Sequence, residues 1–166
     1  MLHLVRVIEA KLWRGDEVVW ETSNKLNTLH SLGQKFVLQA IFNTLEAGVP
    51  PFFYAGLDNR VEPAESDILS EINTEPAIFG YQRVAVSSSN GFQVSVVDDV
   101  YQATTGVLTF NGTGGTWGPV QNVFLATTND NSGTLISTIA LDGPHFVNDG
   151  ERLTMRFGIA LKDCPE

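Results

Sequence analysis

Cysteine is nearly absent from this 166-residue chain: Cys164, close to the end, is the only one. No intrachain disulfide is available, so stability has to come from packing, as in a reducing compartment. A CxxC or CxxH metal site is excluded as well. Positive charge is scarce. Ten Lys and Arg stand against 19 Asp and Glu, for a net charge of −9 and a pI of about 4.7. Such a surface repels phosphate backbones, so nucleic acid is not an expected partner. No run approaches the ~18 apolar residues of a membrane span. Met1–Arg6 lacks the apolar stretch of a signal peptide, so neither a membrane partner nor export by its own signal is expected.

Catalytic spacings are missing too. His3, His30 and His145 stand in no recognisable motif, and there is no Gly-x-Ser-x-Gly. Ser87-Ser88-Ser89 reads as a turn, and Cys164 beside Pro165-Glu166 does not suit an activated thiol. Asp98, Asp99, Asp130, Asp142 and Asp149 all fall where turns are expected, and Asp is favoured in turns for backbone reasons. Gly112–Gly118 is rich in glycine, but no Lys-Ser/Thr and no helix follows to hold a phosphate. The acids of 58–76 lack calcium-loop spacing and read as a solvated loop. No catalytic, cofactor or metal residue is assigned, and an enzyme is not expected.

What is present is a succession of strands and turns. Hydrophobic residues make up 43% of the chain and charged ones 17%, enough to bury a core. Residues 2–24 read as a hairpin turning at Arg14-Gly15-Asp16-Glu17, with Trp13 and Trp20 expected to face each other across it. The tip spells an adhesion tripeptide, but three residues are too short a match to outweigh a plain turn. Residues 31–47 carry the one helical pattern. Ser31 and Gln34 suit a capping box, His30 stands at the cap or surface, and apolar residues are placed to be covered on both sides. Gly48 and Pro50-Pro51 end it.

Phe52–Leu57 is a short apolar strand, and the 58–76 excursion has room for one helical turn at 67–72. From residue 79 on, strands recur every ~8–12 residues with turn signals between them. Asn90-Gly91, Asp142-Gly143-Pro144 and Asn148-Asp149-Gly150 are such signals. The expected fold is therefore mainly β: an antiparallel, jelly-roll-like β-sandwich with one α-helix near residues 31–47 and an N-terminal β-hairpin. The expected organisation is a hairpin or arm over 1–24 and a single β-sandwich domain with one packed helix over 25–166.

Five short motifs occur in order. They are Lys25-Leu26-Asn27-Thr28 running to Ile41-Phe42, Tyr54-Ala55-Gly56-Leu57, Gly80-Tyr81-Gln82-Arg83-Val84-Ala85-Val86, Trp117-Gly118-Pro119-Val120, and Val147-Asn148-Asp149-Gly150 through Leu161. Their order and spacing over residues 25–161 resemble a family of small structural proteins of tailed bacteriophages, labelled capsid decoration, cement or tail-fibre-associated. The resemblance implies a non-enzymatic virion protein, first of all one coating or cementing the head. Its alternative is a tail-fibre or collar β module, with receptor or glycan binding as a further option. It implies the major capsid protein or other virion proteins as partners, self-association as a trimer or dimer, and residence in the virion after assembly in the host cytoplasm. Trp13 and Trp20 are the interface candidates. Tyr81, Trp117 and Gly118 are the structural ones.

Overall fold

The computed structural model describes residues 2–26, 28–41, 48–76, 80–97 and 100–163. In chain order these form β1 (Leu2–Arg14), β2 (Glu17–Leu26), β3 (Thr28–Leu29), α1 (Ser31–Ile41), β4 (Phe52–Asp58), β5 (Val84–Ser87), β6 (Phe92–Val97), β7 (Val100–Thr105), β8 (Leu108–Asn111), β9 (Trp117–Ala126), β10 (Leu135–Val147) and β11 (Glu151–Asp163). A 3-10 turn, Leu69–Glu71, falls inside the 67–72 window expected from the sequence.

The strands make two antiparallel sheets. One runs β2-β1-β11-β7-β6, with β8 continuing the β7 side of β11; the other runs β3-β10-β9-β4-β5. Early strands pair with late ones in nested order: β1 with β11, β3 with β10, β4 with β9. That nesting gives the mainly β sandwich its jelly-roll-like character. The core lies between the sheets. Ala10, Leu12, Leu108, Phe110, Leu153, Met155 and Phe157 come from the first sheet, and they meet Ala55, Leu57, Val86, Val120, Val123, Leu125 and Ile139 from the second. A second, smaller core covers the outer face of the β10-β9-β4 sheet. There Leu69 and Ile72 of the excursion pack on Phe124, Ala126 and Leu135.

The hairpin is not an arm. β1 pairs with β11 from Leu2↔Asp163 to Arg14↔Glu151, and Ala10 and Leu12 are buried in the main core. The physical reason is alternation: the inward residues of β1 have the same period as Leu153, Met155 and Phe157, so the strand completes a sheet face. Trp13 and Trp20 do not face each other either. The register pairs Leu12 with Trp20 and Trp13 with Val18, with an irregularity between. Trp20 therefore shares the core side with Leu12, and Trp13 lies on the outer side.

The helix also differs from its expectation. It begins at Ser31, so the N-cap position falls to His30, whose carbonyl accepts from the Gln34 amide at 2.9 Å. Residues 42–47 lie outside the described residues. The helix is covered on one side only: Leu32, Leu38 and Ile41 are exposed, while Gly33 is buried. A Cβ on Gly33 would stand 2.2 Å from the Ile136 carbonyl oxygen, so the missing side chain is what lets α1 lie on β10. Phe36 then reaches Phe53 at 5.9 Å and Phe53 reaches Phe92 at 6.0 Å, both edge to face. These rings close one end of the sandwich.

Asp142-Gly143-Pro144 is a bulge within β10 and does not end it. Ala140 pairs with Asn122 and His145 with Val120, so β10 spends five steps where β9 spends two. The extruded segment reaches β2 in the other sheet. Asp142 accepts from Thr22 Oγ1 at 2.7 Å and pairs with Lys25.

Candidate functional site

Residues from four of the five ordered motifs, all but the Lys25–Phe42 one, meet at the corner where β8 turns into β9. Trp117 is 2% exposed. Tyr81 stands edge to face with it at 5.5 Å and stacks with Phe110 at 6.3 Å. The Tyr81 hydroxyl accepts from the Leu57 amide at 2.7 Å and donates to a Glu75 carboxylate oxygen at 2.8 Å. Burial, with the Glu75 carboxylate beside it, pushes that hydroxyl well above the ordinary phenol range, so it works as a fixed, neutral donor. Gly118 follows Trp117 with φ at +130° and is exposed. A Cβ there would meet the His145 carbonyl at 2.8 Å, so the position takes glycine on two counts.

The glycine corner is zipped to the Asn148–Glu151 turn. Gly112 N donates to the Glu151 carbonyl at 2.8 Å, Gly150 N donates to the Gly112 carbonyl at 3.0 Å, and Gly114 N donates to Asp149 Oδ1 at 2.7 Å. Thr116 Oγ1 donates to Asn148 Oδ1 at 3.0 Å. A Cβ on Gly112 would stand 2.3 Å from the Asn148 carbonyl oxygen. The glycine corner and the Asn148–Glu151 turn, more than 30 residues apart in sequence, thus meet backbone to backbone.

Beside this corner lies an open cleft of about 610 Å³, bordered by Glu75, Tyr81, Arg83 and the 129–131 turn. Its chemistry is already spent on the fold. The Arg83 guanidinium is 4% exposed. Nε donates to Glu75 at 3.0 Å; Nη1 donates to the carbonyls of Thr128 and Asp130 at 3.1 and 2.6 Å. Nη2 donates to Glu75 and to Asn131 Oδ1. All five donors of a guanidinium are engaged. Its plane also lies 5.0 Å over the Phe124 ring, which itself covers Gly56. No donor is left over for an anionic ligand.

A second polar cluster sits under the excursion. Arg60 donates to Asp58 and Asp67, Thr74 donates to Asp58, and Asn122 donates to the Arg60 carbonyl. His30 is fully buried, its Nε2 within 2.8 Å of Thr138 Oγ1. It is a capping residue, as one of its expected roles had it, but not a surface one. Burial lowers its pKa, which keeps the imidazole neutral at pH 7. The expectation of a solvated acidic loop therefore fails at Asp58, Asp67 and Glu75, and holds for the exposed Glu62, Glu65 and Glu71. The sequence did carry a signal: Arg60 and Arg83 are the only cations between Lys35 and Arg152. Isolated cations among acids mark anchors.

The interface candidates lie apart. Trp20 packs on the core edge with His145, ring centroids 3.9 Å apart. Trp13, half-buried on the outer face, donates Nε1–H to Thr154 at 2.9 Å and carries Arg152 over its ring at 4.9 Å. The turn acids serve structure as well. Asp130 accepts from the Ser132 amide and hydroxyl, Asp142 holds β2, and Asp149 holds Gly114; Asp98 and Asp99 lie outside the described residues. Among the described residues no three His, Cys, Asp or Glu side chains gather as a metal site, and no helix is long and apolar enough to cross a membrane. In comparison with known proteins, the chain matches no family model, no curated protein and no solved structure.

Proposed function

We propose that this chain is a non-enzymatic structural protein of a tailed-bacteriophage particle, one that coats or cements the head against the major capsid protein or another virion protein. One observation carries the reading. The residues of the ordered motifs are spent on architecture: Tyr81 on Trp117, Arg83 on Glu75 and the 128–131 turn, Asn148 and Asp149 on the glycine corner. A motif set used this way suits a protein selected for holding a shape and presenting a surface.

Such a protein acts by burying apolar and hydrogen-bonding surface against a repeating shell. The affinity of each copy can be modest, because neighbouring contacts on a lattice add avidity. The docking surface is not a free N-terminal arm, since β1 is a central strand. It has to lie on the faces and edges of the finished sandwich. The test is to incubate the purified full chain with particles that lack it and sediment them. Saturable, stoichiometric loading on heads supports the reading. Failure to load, or loading confined to tails, contradicts it.

A further inference from the structure

We propose that the free edge of β6 is a homodimer interface, a second copy of the chain pairing there antiparallel, β6 to β6. Among the described residues β6 pairs with β7 alone and ends its sheet. An edge strand offers a row of unpaired backbone donors and acceptors, and proteins that stay apart blunt such edges with Lys, Pro, bulges or inward charges. β6 carries none of these. Its sequence is Phe92-Gln93-Val94-Ser95-Val96-Val97, and its partner β7 is uncharged as well.

The face is also left uncovered. Phe92, Val94 and Val96 share one side of the sheet with Tyr101 and Ala103. Phe92 packs against the core, but Val94 is 73% exposed, Val96 53% and Tyr101 74%. The edge strand of the opposing sheet, β5, has only four residues. Among the described residues, nothing covers this apolar stretch of Val94, Val96 and Tyr101.

Charge selects the occupant. A chain of net charge −9 repels its own copy over most of its surface. The other long edge, β2, carries Glu17, Glu21 and Lys25. On β6 two copies can meet with no charge brought together. The sequence is also self-complementary in the way a twofold contact requires. With Val94 opposite its own copy, Phe92 faces Val96 and Gln93 faces Ser95, so apolar and polar residues each match across the seam. The two sheets then run on as one. A six-residue edge is small against the ~1,600 Å² of a standard interface, so the free dimer is weak and strengthens where copies are held side by side.

This stands apart from the particle reading: the chain can dimerise without loading on heads, and load without dimerising. The test is sedimentation velocity on the full chain in a series up to about 1 mM. The wild type should shift from monomer to dimer along the series. Val94→Lys should stay monomeric, and Val107→Lys, at another exposed apolar residue off the edge, should behave as wild type. A monomer throughout, or a Val94→Lys chain that dimerises like the wild type, overturns the proposal. The register has its own readout. In a Cys164→Ser background, Val94→Cys should form a disulfide-linked dimer under mild oxidation much faster than Val107→Cys. Equal rates would overturn the symmetric pairing.

Discussion

At the scale of single residues, the polar groups around Tyr81 and Arg83 come as closed sets, while His30 Nδ1, Ser137 Oγ and His145 Nε2 are buried without a hydrogen-bond partner among the described residues. The Tyr81 hydroxyl is the clearest, accepting from one backbone amide and donating to one carboxylate. Tyr81→Phe keeps the stack on Phe110 and Trp117 and strands the buried Leu57 amide. It should cost about 1–3 kcal/mol, the penalty for an unpaired buried donor, read as a lower urea midpoint. An unchanged midpoint would remove the hydroxyl from the account. His30 and His145 should make the fold pH-sensitive. Burial lowers the pKa of both His30 and His145 below the ordinary histidine value. The unfolded chain then takes protons first, near pH ~6.5, so stability falls as pH drops through that value and toward the folded pKa values. The urea midpoint should be lower at pH 5.5 than at 7.5, and the His30 ring should titrate below ~6.5 by NMR. A ring titrating above that value would contradict the burial argument.

At the scale of elements, the deciding contact is β1 on β11. Deleting residues 1–24 removes Ala10 and Leu12 from the core and strips one edge of β11 along its length. The truncated chain should not unfold cooperatively in a thermal melt followed by circular dichroism. A sharp, native-like transition would restore the idea of a detachable arm. The elements themselves were largely legible in the sequence. The hairpin turn at Gly15, the strand at Phe52–Leu57, the 3-10 turn and the last strand follow from local periodicity and turn chemistry. Partners were not. Alternation tells which side of β1 is apolar, but not that its neighbour lies some 150 residues on in sequence. Gly33 was missed because a close approach is written as missing atoms. Asp142-Gly143-Pro144 reads as a turn in the sequence because a bulge uses the same residues as a turn. Arg60 and Arg83 were legible as isolated cations, but their depth depends on an excursion folding back over Phe124.

At the scale of the whole molecule, the chain is a two-sheet sandwich whose ends are closed by aromatic rings on one side and by the glycine corner on the other. One sheet is covered on both faces, inward by its partner and outward by the excursion held through Arg60 and Arg83. The other leaves the β6–β7 face open. A molecule arranged this way has much surface for contact, and its Tyr81, Arg60 and Arg83 groups are occupied by the fold. The proposal of a particle-building role rests on the motif resemblance and on this arrangement. The most direct measurement is cryo-electron microscopy of the intact particle with the chain placed in density. The account predicts density for this sandwich repeating over the head lattice. Density found only on the fibres or collar, or a complete particle without the chain, would contradict it.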